Sequence, residues 1–136
     1  MDFKVYSNSE GATPRFCNVA SATVLEEGDA VGITNGLIVK ATATTAAVGI
    51  VAAASADGSV VTVPVYVDGS IIFQGTADAN FTAATRGTEV DLVITTGVGL
   101  IDIGTSTTDV FKIEASDNAG TVGSTKKVLF RLNKTI

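Results

Sequence analysis

The sequence predicts an all-β protein, a small β-barrel or β-sandwich of short antiparallel strands with little helix. Three observations carry that prediction. Valine and threonine are abundant, whereas Leu, Glu, Lys and Arg, the usual helix formers, are scarce. Several short stretches alternate apolar and polar residues with period two, as in Val61, Val63, Val65 and Val67 against Thr62, Pro64 and Tyr66. The chain has 14 glycines, most of them punctuating those stretches at turns. Its 136 residues suit one domain, or at most two tightly packed halves, and can bury a core without disulfides or metals. With 46% apolar and 17% charged residues, the composition excludes a disordered chain and a coiled coil.

Along the chain, Phe3 and Val5 alternate with Lys4 and Tyr6 as a short strand. Ser7 to Pro14 is small, polar and broken by Gly and Pro, so residues 1–15 read as an extended N-terminal arm before a domain at 16–136. Alternation from Phe16 to Leu25 predicts the next strand, closed by Glu26-Glu27-Gly28-Asp29. Ala30 to Thr34 and Leu37 to Thr42 flank Asn35-Gly36, the preferred type I′ hairpin pair because both positions tolerate positive φ. Ala47 to Ala53 is a strand of small residues, and Asp57-Gly58 a second hairpin turn. Pro64 cannot donate to a ladder, which predicts an edge or a bulge in the strand from Val61 to Val67. Asp68-Gly69 turns into Ile71 to Gln74, and Thr76 to Arg86 lacks strand pattern, with a helical turn starting near Thr82. Strands resume with Val90, Leu92 and Ile94, turn at Thr96-Gly97, and continue through Gly99 to Ile103 and Val110 to Ala115. A Gly-rich loop from Ser116 to Ser124 leads to a last strand lined by Val128, Phe130 and Leu132.

The missing residue types restrict the chemistry. The chain has no histidine, hence no imidazole for general-base work or metal binding. Its one cysteine, Cys17, has no disulfide partner and reads as a small buried apolar residue. Acidic residues fall mainly at turns, and Asp57-Gly58-Ser59 and Asp68-Gly69-Ser70 lack the ligand run of a calcium loop. The expectation is a non-enzyme without cofactor or metal. A net charge of −5 opposes nucleic-acid binding, which demands a basic surface. No apolar run is long enough to span a bilayer and no signal-peptide pattern opens the chain, so synthesis in a reducing cytoplasm and no membrane partner are expected.

The order of signals occurs twice, approximately over 28–67 and 87–132. Gly28-Asp29-Ala30-Val31 returns as Gly87-Thr88-Glu89-Val90, and Gly36-Leu37-Ile38 as Gly99-Leu100-Ile101. Ala47-Val48-Gly49-Ile50 has a looser echo in Asp109-Val110-Phe111-Lys112, and the last alternating strand matches Val61 to Val67. The length therefore reads as one small unit used twice, either a single barrel or two packed ones.

A Gly-x-x-Val turn leads to Gly-Leu-Ile-Val-x-Ala from Gly36, then Ala-Val-Gly-Ile-Val-Ala-Ala from Ala47, then the Val-alternating strand. A second Gly-x-x-Val and a terminal alternating strand complete the pattern over roughly Phe16 to Asn133. This pattern resembles the small capsid decoration, or cement, proteins of tailed bacteriophages. The second half departs from it at Val110-Phe111-Lys112-Ile113. The resemblance implies a structural virion protein on the outer capsid surface, clamping neighbouring major capsid protein subunits, often as a homotrimer. The N-terminal concentration of aromatics then marks Phe3, Val5, Tyr6, Arg15 and Phe16 as the capsid-binding residues, on an arm that orders on docking; the alternative is that Phe3 to Tyr6 pairs within the protein's own barrel. Two other readings predict different behaviour. A tail-tube or head-fibre subunit would assemble by itself, and a carbohydrate-binding or adhesion module would expose aromatic binding platforms.

Overall fold

The computed structural model describes residues 1–54, 62–115 and 121–136. The expected Asp57-Gly58 turn and most of the Gly-rich loop after Ala115 lie outside the described residues. Two N-terminal strands, β1 (Lys4–Ser7) and β2 (Arg15–Asn18), precede β3 (Ala30–Thr34), β4 (Leu37–Lys40), β5 (Gly49–Val51) and β6 (Thr62–Tyr66). Then follow β7 (Ile72–Thr76), β8 (Glu89–Thr95), β9 (Val98–Asp102), β10 (Phe111–Ile113) and β11 (Lys127–Leu132). A 3-10 turn, Ala83–Thr85, follows Thr82, where the sequence predicts a helical turn.

All strand pairs are antiparallel and form two sheets, a six-stranded one ordered β1-β7-β11-β10-β8-β9 and a five-stranded one ordered β2-β6-β5-β3-β4. Neither closes into a barrel by a continuous ladder, and the architecture is sandwich-like. One isolated parallel bridge brings β2 to β4, Val19 with Ile38, and another brings the end of β7 to β9, Ala77 with Ile101. The sandwich is the physical answer to the alternation seen in the sequence, since each strand has one apolar face to cover.

The two halves share one pairing scheme. β6-β5-β3-β4 has the order of β11-β10-β8-β9, and β2 stands beside β6 as β7 stands beside β11. Bonds outside the strands correspond as well. Gly28 N–H donates to Val51 at 2.9 Å and Gly87 N–H to Ile113 at 3.0 Å. Ala20 N–H donates to Ile38 and Asp78 N–H to Ile101, both at 2.9 Å. Both hairpins turn through two positive-φ residues, Asn35-Gly36 (52° and 79°) and Thr96-Gly97 (52° and 77°). That geometry matches the right-handed twist of the flanking strands. The inward residues correspond too: Val31, Ile38, Val51, Val63 and Val65 in the first half, Val90, Ile101, Ile113, Val128 and Phe130 in the second, all buried. The second half adds aromatic bulk, with Phe111 and Phe130 rings 4.6 Å apart and Phe73 5.7 Å from Phe130.

Three expectations are corrected. Residues 1–15 do not stand apart from the domain as an arm. β1 pairs along β7, Lys4 opposite Gln74 and Val5 opposite Phe73, and Phe3 N–H donates to Gly28 at 3.1 Å. The cause is burial: Phe3 is 1% exposed, and leaving its ring in water would forfeit about 2–3 kcal/mol. The strand predicted from Phe16 to Leu25 stops at Asn18, because a turn with Ala22 at φ 60° diverts the chain. Pro64 marks neither an edge nor a bulge, since β6 lies between β2 and β5 in regular register. Its carbonyl accepts from Ala52, so its ring nitrogen faces β5 just past that strand's end at Val51, and no bond inside the β5 ladder is lost.

Candidate interaction surface

The five residues singled out by the sequence do not form one surface. Phe3 is a core residue. Its ring packs edge-on against Phe111 and Phe130, at 5.5 Å and 5.3 Å between centroids. Two glycines make room for it: a Cβ on Gly75 would sit 2.5 Å from the Phe3 ring, and one on Gly99 3.3 Å away. Asp2 locks the same segment by accepting the Gly99 N–H at 2.8 Å. Val5 and Tyr6 stay exposed on β1, where the register shifts between Val5 and Ser7. Arg15 and Phe16 belong to the other sheet, on β2, and Phe16 is 73% exposed. The sequence thus indicated two strand edges, one in each sheet, and a plug between the halves.

Sequence reasoning missed the exposed aliphatics Val24, Ile33, Leu37 and Val98. Period-two alternation puts Ile33 on the face of buried Val31, so pattern alone predicts burial. It is exposed because it stands next to the Asn35-Gly36 turn, where the hairpin outruns the residues that would cover it. Proximity to a hairpin turn is the signal that would have found it. Leu37 and Val98 occupy equivalent places, each the first residue after its turn.

Cys17 is half-buried and packs beside the first-half core, where burial, opposed by the Arg15 charge, pushes its thiol pKa up. It therefore carries less thiolate at neutral pH than a free cysteine does.

Asp91 is one of two buried carboxylates among the described residues, 6% exposed. Its carboxylate accepts the backbone N–H groups of Thr107 (3.0 and 3.1 Å), Thr108 (2.8 Å) and Asp109 (2.9 Å). Burial acts to raise its pKa, but the amides of Asp109, Thr107 and Thr108 outweigh burial and hold the carboxyl below its ordinary value. This binds the loop after β9 to β8. Nearby, burial, then the Asp78 and Asp91 charges, raise Asp102 against a hydrogen bond from Thr105. Among the described residues no group of His, Cys, Asp and Glu is arranged to hold a metal ion.

Asp91→Asn is expected to lose about 1–3 kcal/mol of stability at pH 7, because a neutral amide gives up the charge-assisted bonds and turns an NH2 group where the second oxygen meets the Thr107 N–H. The sign with pH follows from the lowered folded value. Asp91 stabilises above the unfolded carboxyl pKa of about 3.9, and that contribution disappears as pH falls through the folded value. Urea midpoints across pH 2–7 should show a shallower acid limb for the variant; parallel limbs would remove Asp91 from the acid response.

Among the described residues no helix is long and apolar enough to cross a membrane. No protein-family model, curated protein or solved structure matches the chain.

Proposed function

We propose that this chain is a structural virion protein that binds the outer surface of a phage capsid and stabilises the head by clamping neighbouring major capsid protein subunits. The observation that carries this reading is where the exposed apolar side chains sit. Tyr6 and Phe16 stand on strand edges, and Leu37 and Val98 at hairpin tips, of a small two-sheet body. Side chains so placed can each meet a different neighbour on a repeating lattice, and linked contacts multiply modest affinities through effective concentration. The resemblance of the Gly-x-x-Val and Gly-Leu-Ile-Val motifs to capsid cement proteins points the same way. A homo-oligomer, a trimer first, suits clustering about a local symmetry axis. A net charge of −5 keeps such a protein soluble at the concentrations decoration requires.

The test is cosedimentation of the purified protein with undecorated capsids before and after expansion. Saturable binding to the outside of heads is expected, together with greater resistance of the heads to heat or low salt. Protein left in the supernatant at every maturation state sinks the reading.

A further inference from the structure

The shared pairing scheme makes each half a comparison for the other, and one difference stands out. In the second half, the wedge between β7 and β9 is filled. Those strands meet only at the Ala77–Ile101 bridge and are held apart by residues 2–4. Asp2 takes the Gly99 N–H, Phe3 fills the space left by Gly75 and Gly99, and Lys4 lies opposite Gln74. In the first half, β2 and β4 likewise meet at one bridge, Val19–Ile38. Among the described residues no strand lies in that wedge.

Backbone direction shows what the empty wedge offers. Pro64 uses its carbonyl toward β5, so Val63 and Val65 use theirs toward β2, where they face Cys17 and Arg15. The N–H and C=O groups of Phe16 and the N–H of Asn18 therefore point away from β6, while the Asn18 carbonyl closes the bridge to Ile38. In the second half the same argument starts from Leu129, whose carbonyl accepts from Glu114, and turns the polar groups of Gln74 outward to β1. Gln74 is the counterpart of Phe16, since each lies one residue before the strand position facing Val128 or Val63. The outward groups of Gln74 have a strand beside them; those of Phe16 have none among the described residues.

We infer that the outer edge of β2 is a strand-addition site, which takes an extended segment of a partner chain running antiparallel to β2. On the function proposed above, on which this inference rests, the segment belongs to the major capsid protein. The geometry also states which side chains fit. Cys17 stands where the second half has Gly75, so its side chain occupies the space that Phe3 uses there. The N-terminal strand of a second copy is thereby a poor occupant, and the incoming residue opposite Cys17 must be small. The hairpin beside the wedge is shorter than its counterpart: two residues before the bridge stands Gly36, where an added Cβ meets nothing within 4 Å. The wedge is consequently wider at its mouth, and the exposed Phe16 and Leu37 flank it with apolar surface for the segment's outward side chains. Backbone pairing supplies affinity in this mode and alternate side chains supply selectivity.

The experiment uses the full chain on undecorated capsids, with amide hydrogen exchange of residues 16 and 18 followed free and capsid-bound. Both amides are expected to exchange fast in the free protein and at least about tenfold slower on capsids. Phe16→Pro removes one outward donor without touching the bonds to β6, a position where edge strands accept proline. It should weaken capsid binding about tenfold, whereas Phe16→Thr, which keeps the donor, should weaken it less. Capsid-bound wild-type protein whose amides 16 and 18 exchange as in the free state, or equal binding by Phe16→Pro and Phe16→Thr, overturns the β2 site and leaves capsid decoration standing. Wild-type protein that binds no capsid overturns both. The exchange measurement needs no variant, so a misfolded Phe16→Pro chain does not spare the inference.

Discussion

Replacing Phe3 with alanine is expected to cost about 3–5 kcal/mol of folding stability, the range for deleting a fully buried aromatic ring. The site cannot collapse to soften that loss. Two walls are glycine backbone, Gly75 and Gly99, and the others are the rings of Phe111 and Phe130. The cavity would also loosen β1, because the Asp2 bond to Gly99 and the Phe3 bond to Gly28 hold the same few residues. Urea unfolding should therefore show a large drop in midpoint. Amide exchange should quicken along β7, whose outer ladder is β1. A loss below about 1 kcal/mol would mean that the segment lies on the surface and the aromatic core stands without it. Deletion of residues 1–14 is consequently a stability experiment and not a test of a docking arm.

The second large effect is expected from a pair of glycine substitutions at corresponding turns. Gly28 and Gly87 both have positive φ, 89° and 73°. Alanine at either place meets the left-handed penalty of about 1–2 kcal/mol. Only Gly28 also faces the N-terminal segment: its added Cβ would lie 2.4 Å from the Phe3 carbonyl oxygen and 2.3 Å from the Met1 side chain. The corresponding atom on Gly87 finds only the Ala115 Cβ, at 3.8 Å. Gly28→Ala should thus be worse than Gly87→Ala by a further ~1–3 kcal/mol, the usual cost of overpacking. Phe3 backbone cannot move aside without giving up its own ring position. Thermal or urea denaturation of the two variants checks the difference. Equal losses would show that residues 1–3 do not press on the Gly28 turn.

Much of the architecture was legible locally. Asn35-Gly36 is a hairpin turn because both residues accept positive φ, whereas at Thr96-Gly97 only the glycine does and the paired strands hold β-branched Thr96 at φ 52°; the Val63–Val65 face is buried because alternation matches the pleat. The order of signals in 28–67 and 87–132 corresponds to strands that pair in the same order in the two sheets. The candidate surface was legible only in part. Phe16 and Tyr6 are exposed, whereas Phe3, from the same run of aromatics, is not. Period-two alternation states that Phe3 and Val5 share a face, but not what lies opposite. The answer depends on Gly75 and Gly99, about seventy and nearly a hundred residues away.

Short-range rules therefore settled what the sequence alone determined: the all-β class, the hairpin turns and the inward positions of the central strands. These depend on φ preferences and on a two-residue period, both properties of neighbouring residues. Tertiary structure alone decided that the N-terminal segment is a plug and not an arm, and that the wedge beside β7 is filled while among the described residues no strand fills the one beside β2. That choice is a match of volumes between distant positions, a ring at Phe3 with missing side chains at Gly75 in one half, and a thiol at Cys17 in the other.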